Sequence, residues 1–351
     1  MPFPPWLSRA GAALFSLTMT IGGTEISDFG DIEVTRSVSG IGTSGLCTSQ
    51  LTFTCTAPLY AYRAAEVKLT GGGLDLPKYY IDSRPTKNGT VSVTALDRMA
   101  YTDKPFESDW VEYDSGDMAL TSAVLSVIAI KCGFTGYGAS IPSWLSKLPM
   151  AMVTNTSCAS ILEALSVVLC GYWYTSSDNE LAFRAYGTAS GDMSITDHSA
   201  LEVGDEYTAS GVRVTNGDKV FERGSTLYSY ETLQISSELA DDNTAADIWA
   251  NAEGKPYDAV SCPDCVLPFI PFPSCDVTFA QFPNRKYRIM SVTAKISYDG
   301  IMGSLSTSSP SGGEISRMGR LERTVNGKIS EGVRYGNSRI TADKGIVFEE
   351  E

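Results

Sequence analysis

Between Lys78 and Phe106 the chain runs KYYIDSRPTKNGTVSVTALDRMAYTDKPF, and the Asn88-Gly89 pair within it limits the fold more than any other feature. Both central residues of a type I′ turn need positive φ, and Asn-Gly meets that need at low cost. The flanks agree: Tyr79 to Ser83 reads as one strand and Thr90 to Leu96 as the next. Val91 and Val93 alternate with Ser92 and Thr94, so one face is apolar and the other polar. Asp97-Arg98-Met99 and Lys104-Pro105-Phe106 then lead the chain out of the sheet.

Before this hairpin, residues 1–14 read as an arm kept extended by Pro2, Pro4 and Pro5. Arg9 and the apolar residues after it resemble a signal peptide only faintly, because the alternation FSLTMTI from Phe15 to Ile21 reads as a first strand. No run approaches the roughly 18–20 apolar residues of a membrane span. DIEVTRSV, SQLTFTCTA and EVKLT supply further strands, separated by Gly- and Ser-rich loops and by Gly71 to Gly73. Residues 15–112 thus group as a first β domain, a curved sheet or small barrel.

At Asp117 the period changes. Met118 to Cys132 reads as a mostly buried helix stopped by Gly133. Cys158 to Cys170 reads as a second, with Thr156 or Ser157 as N-cap, Gly171 at C′ and an apolar stripe of Ile161, Leu162, Leu165, Val168 and Leu169. Tyr172-Trp173-Tyr174, a turn at Ser177-Asp178-Asn179 and Leu181 to Tyr186 form a hairpin. Together these make a small α+β module over 113–190.

Strands return in 191–309. GVRVT, Asn216-Gly217 and Lys219 to Glu222 form another Asn-Gly hairpin, and Ala245 to Asn251 is a short helix capped by Asn243 or Thr244. A closing meander from Tyr287 to Ser306 marks a second β domain. After a Ser/Gly-rich linker, residues 310–351 carry only isolated apolar positions, so they are expected to be extended and ordered only against neighbours. The fold class expected is β-rich α+β: two tube-type β domains flanking a two-helix module, with an extended C-terminal tail.

Charge narrows function. With 27 basic and 41 acidic residues the chain carries −14, which disfavours tight binding to nucleic acid but suits a conduit to which DNA must not stick. The eight cysteines do not have the spacing of a small secreted disulfide scaffold, and reduced thiols are expected. Cys262-Pro263-Asp264-Cys265 and Cys275 could supply three soft ligands, but no second pair completes a zinc set. A local disulfide or free thiols in a proline-rich loop is the expectation, over a redox Cys-x-x-Cys, because no helix follows the motif.

The one histidine, His198, lies in a polar stretch read as a surface loop, and chemistry needing two imidazoles is excluded. Asp103, Glu107, Asp109, Glu112 and Asp114 form an acidic run that reads as a solvated face; as paired carboxylates it would serve a glycosidase. Trp110, Trp144 and Tyr172 to Tyr174 could stack on sugars, though such aromatics more often fill cores. No residue is assigned to catalysis, to a cofactor or to a metal.

The order of parts resembles a known family. The hairpin segment YYIDSRPTKNGTVSVTALDRMAYTDKPF is followed by TSCASILEALSVVLCGYWYTSSDNELAFRAY, then by YRIMSVTAKISYDGIMGSLSTSSPSGG. This pattern, spread over most of 15–315, resembles the hub proteins of tailed-phage tail tips. It is most similar to the hub portion of siphophage tail-associated lysins and, by fold, to contractile-phage baseplate hubs. GNSRITADKGIVFEE is also similar to the ends of tip proteins that enter trimeric fibres.

The resemblance implies a homotrimeric ring that closes the tail tube, each chain contributing two related β domains to a pseudo-sixfold layer. It implies as partners a distal tail ring, the tape-measure C-terminus and tail fibre or receptor-binding proteins, with DNA crossing the lumen. It places the chain in the virion tail tip, assembled in the bacterial host cytoplasm. The peptidase or glycosidase domain of the long lysins has no counterpart in this sequence, so a structural role is expected over a cell-wall hydrolase or a carbohydrate-binding tip module.

Overall fold

The computed structural model describes residues 16–38, 45–56, 64–107, 109, 111–112, 117–186, 193–203, 209–227, 232–253, 260–297 and 299–307, and three short strands within 333–348. The N-terminal arm lies outside the described residues.

The first strands are β1 (Leu17–Ile21), β2 (Thr24–Ile26), β3 (Phe29–Ser37), β4 (Leu46–Thr56) and β5 (Glu66–Gly71). Next come β6 (Tyr79–Ser83), β7 (Thr86–Lys87) and β8 (Thr90–Leu96). The Asn-Gly turn forms as expected: Lys87 pairs with Thr90, and Asn88 and Gly89 both have positive φ, 53° and 80°. The alternation on β8 is also realised, with Val91, Val93 and Ala95 buried and Ser92 exposed.

The helical part opens with a strand. Met118, expected to begin a helix, lies in β9 (Met118–Leu120), and α1 runs Thr121–Cys132. The extended start pairs with β10 (Lys147–Pro149), and the Thr121 hydroxyl donates to the Leu145 carbonyl at 2.5 Å. Gly133 ends α1 at φ 81°, its amide bonding the carbonyls of Ala129 and Ile130. After the single turn α2 (Met150–Val153), Ser157 caps α3 (Cys158–Val168) by accepting the Ser160 amide. The left-handed residue after α3 is Cys170, φ 49°; Gly171 instead starts β11 (Gly171–Thr175), which pairs with β12 (Leu181–Ala185).

The remaining elements are β13 (Met193–Ile195), β14 (Glu202–Val203), β15 (Gly211–Asn216), β16 (Lys219–Gly224), β17 (Thr232–Ser236), α4 (Asp242–Ala252) and β18 (Val260–Leu267). They are followed by β19 (Asp276–Phe279), β20 (Phe282–Arg288), β21 (Ser291–Ser297) and β22 (Gly300–Ser306). In the second Asn-Gly hairpin Asn216 pairs with Lys219, so the loop is Gly217-Asp218, one position later than expected. The cap of α4 is Asp241, not Asn243 or Thr244; Thr244 sits at N3 and completes a capping box. The tail segment is not simply extended: β23 (Val333–Tyr335), β24 (Ser338–Thr341) and β25 (Gly345–Phe348) pair as an antiparallel meander.

Fourteen strands share one sheet, in the path β14-β18-β22-β21-β3-β4-β8-β6-β5-β1-β2 with β7, β11 and β12 attached. The two β segments therefore meet at a seam, where β3 and β21 run antiparallel from Ile32 opposite Ile296 to Ser37 opposite Ser291. No closed barrel forms among the described residues: the path ends at the three-residue β2 and the two-residue β14. Among the described residues no strand joins those ends, and closure needs strand number, tilt and shear to agree.

Three cores result. One lies under the first strands, around Met19, Leu51, Phe53, Tyr79 and Val93. Another packs Ile195, Cys262, Cys265, Val277, Phe279 and Val292. The third joins α1 and α3 to Tyr172 and Trp173, and also to Val212, Val214, Ile235, Ala245 and Ile248. Strands β15 and β17 and helix α4, which lie in the stretch 191–309, thus share a core with α1 and α3. These strands belong to a separate sheet, β16-β15-β17, whose apolar residues need that cover.

Candidate assembly site

The seam between β3 and β21 is apolar beneath and polar above. Val34 faces Ala294, both fully buried, while the hydroxyls of Thr35 and Thr293 meet at 3.4 Å on the other face. The helical part docks one strand further along. The Trp173 amide donates to the Gly45 carbonyl at 2.7 Å, and β11 runs parallel to β4, Trp173 opposite Leu46. A Cβ on Gly45 would lie 2.3 Å from the Gly171 carbonyl oxygen, so the contact requires a bare backbone there.

A buried polar cluster fills the junction. Arg36 of β3 is 1% exposed, stacks on the Phe272 ring at 4.2 Å and donates through Nη2 to the Asp75 carbonyl at 3.0 Å. Ser49 and Tyr79 share a hydroxyl hydrogen bond of 2.9 Å, and burial pushes the Tyr79 phenol up to about 12. Asp97, at the end of β8, is 1% exposed. Burial pushes its carboxyl up to about 7, against hydrogen bonds from the backbone at Ser49 and the Thr175 side chain and the Arg36 charge, which pull it down. Arg36 Nη1 and Asp97 Oδ1 are both buried without a hydrogen-bond partner. Thr175 Oγ1 also accepts the Met99 amide at 3.2 Å, tying β11 to the chain leaving β8.

The cluster links β3, β4, β6, β8 and β11. Chemically it is a brace. Sequence reading missed it, because Arg36 and Asp97 look like ordinary surface charges; the signal available was an Arg between the strand residues Thr35 and Ser37, next to a run that alternates inward.

The residues singled out by sequence lie elsewhere. His198 is half-buried rather than on an open loop: its ring meets Phe279 edge-on at 5.9 Å, and its backbone bridges to Cys265. Cys262 and Cys265 lie in strand β18, not in a proline-rich loop, and all eight cysteines are buried thiols. No metal-binding cluster occurs among the described residues. In the acidic run Glu107 is engaged by Lys131, and Asp103, Asp109 and Glu112 are exposed; Asp114 lies outside the described residues. Tyr172 and Trp173 are fully buried and Tyr174 packs on Phe272 at 4.9 Å, so these three are core residues and no sugar platform. Trp144 is 41% exposed; Trp110 lies outside the described residues.

No protein-family model and no curated protein matches the sequence. Solved structures do match the fold. The 43 kDa tail protein of prophage MuSo2 from Shewanella oneidensis superposes with a TM-score of 0.55 at 11% identity, over 83% of this chain and 97% of that one. The tail protein from Neisseria meningitidis MC58 superposes at 0.57 and 10% identity, over 83% and 95%. The chain has the fold of these tail proteins. The likeness spans nearly their whole length and most of this chain. At such low identity it rests on pairing and packing rather than on shared side chains.

Proposed function

We propose that this chain is a structural hub of a phage tail tip or tail-like particle. Three copies form a ring that closes the tail tube and anchors the distal tail ring, the tape-measure C-terminus and the receptor-binding apparatus. The observation that carries this reading is the fold shared with two tail proteins over 83% of the chain. The open sheet supports it. Its ends at β2 and β14 leave backbone groups for pairing, and a neighbouring copy is the simplest partner for both at once. The acidic balance of −14 suits a lumen through which DNA slides. No side chains are assigned to catalysis.

Native mass spectrometry of the purified protein, with imaging of whole particles, tests the reading. A trimer in solution and a threefold density at one tip are expected. A stable monomer under all conditions, or clearing of cell-wall substrate in a zymogram, would reject it.

A further inference from the structure

Cys262 and Cys265 are three positions apart in β18, where a regular strand would turn them to opposite faces. The pairing with β22 slips between them: Cys262 lies opposite Leu305 and Cys265 opposite Gly303. β18 takes up one extra residue there, a bulge, and both thiols turn to the inner face. Each is 0% exposed, while Pro263 and Asp264 between them face solvent. On that face the two thiols are close enough to interact. Cys265 Sγ also donates to the Gly303 carbonyl at 3.3 Å.

The outer side of the bulge is held by a short separate loop. The Val266 amide donates to the Asp197 carbonyl at 3.0 Å and the Ser199 amide to the Asp264 carbonyl at 2.9 Å. The Ser199 hydroxyl reaches the Asp264 carboxylate at 3.3 Å. Beyond lies β14, a two-residue strand at the end of the sheet path. Short elements at a sheet edge open locally at lower cost than central strands.

We propose that Cys262 and Cys265 form a reversible dithiol–disulfide site, closed by a low-molecular-weight disulfide such as oxidised glutathione. One thiol loses its proton and attacks a sulfur of the reagent; a mixed disulfide forms and one glutathione thiolate leaves. The second thiol loses its proton and attacks the protein-side sulfur, releasing the other glutathione. Two protein thiols become one disulfide, and the two electrons reduce the reagent to two thiols. The bulge already brings the sulfurs together, and Pro263 limits the freedom of the backbone between them. The other such pair, Cys132 at the end of α1 and Cys158 at the start of α3, lies within the largest core. The rim pair closes first.

The test is oxidation of the full native chain with oxidised glutathione, an acid quench, unfolding and alkylation. Two fewer of the eight thiols should take up the alkylating agent, and a proteolytic map should join Cys262 to Cys265. The native protein should hold that bond at a roughly tenfold higher ratio of reduced to oxidised glutathione than the urea-unfolded chain. Cys262→Ser and Cys265→Ser should each prevent the intramolecular bond, the remaining thiol of the pair going no further than a mixed disulfide with glutathione. Alkylation of all eight thiols, a bond mapped to Cys132 and Cys158 instead, or equal ratios for native and unfolded chains would overturn the proposal. If the serine variants do not fold, the wild-type map and ratio decide alone.

Discussion

Thr35 and Thr293 touch through their hydroxyls at 3.4 Å although 258 positions separate them. They mark the seam by which strands from the two ends of the chain become one sheet.

That seam makes the halves cooperative. Ala294 is fully buried opposite Val34, and Ala294→Glu places a carboxylate where no partner stands. A loss of about 3 kcal/mol or more is expected in urea unfolding. Hydrogen exchange should show β3 and β4 losing protection together with β21 and β22. Loss confined to the C-terminal strands would mean that the halves are independent.

Asp97 gives a pH signature. Its carboxyl is pushed up to about 7 from an ordinary 3.8, so the native state holds a proton that the unfolded chain has released. The stabilisation is complete below about 4, falls as pH rises through about 7 by up to about 1.4 kcal/mol per unit, and levels off above. Asp97→Asn should remove this slope. Urea midpoints measured from pH 4 to 9 on both proteins check it; parallel profiles would refute the assignment.

The docking of β11 on β4 is sensitive to a single methyl group. Gly45→Ala would put a Cβ 2.3 Å from the Gly171 carbonyl oxygen and 2.9 Å from Ser166 Cβ. A destabilisation of about 2–3 kcal/mol is expected from overpacking. Ser166→Ala should cost about 1–2 kcal/mol by leaving the buried Gly45 amide without its acceptor, now at 2.9 Å. Thermal unfolding of the two variants ranks them, and Gly45→Ala should be the worse.

Asp241 caps α4. Although burial opposes its charge, hydrogen bonds from the Thr244 amide and from Asn243 hold the carboxyl below its ordinary value. Asp241→Ala should cost about 1 kcal/mol near neutral pH. The difference should shrink as pH falls below the ordinary carboxylate value of 3.8 and be lost once pH drops through the lower value held by the native cap. Circular dichroism during urea titration at two pH values measures it.

Local signals were legible in the sequence, and distant pairing was not. Asn88-Gly89 and Gly133 act through backbone conformations that the residues themselves prefer, so the first hairpin and the end of α1 could be read directly. Met118 to Leu120 has the apolar character of a helix start, but pairing with β10 draws it into a strand, an outcome set by residues nearly thirty positions away. The cap of α4 was placed too late because Asp241-Asp242-Asn243-Thr244 offers four capping residues in a row. The β3–β21 seam carries no local mark, and the cluster around Arg36 and Asp97 only the inward position of Arg36 in β3. Each exists only once strands far apart in sequence have met.

The seam also has a price in time. On a ribosome β3 emerges early, yet the strand that will cover its edge is made some 258 residues later. At about 5–20 residues per second that is roughly 13–50 seconds. Throughout that interval a nine-residue β3 waits beside β4 with its other edge bare. Nascent chains of this protein should therefore lean on chaperones until translation is almost finished, and truncated products should aggregate rather than fold.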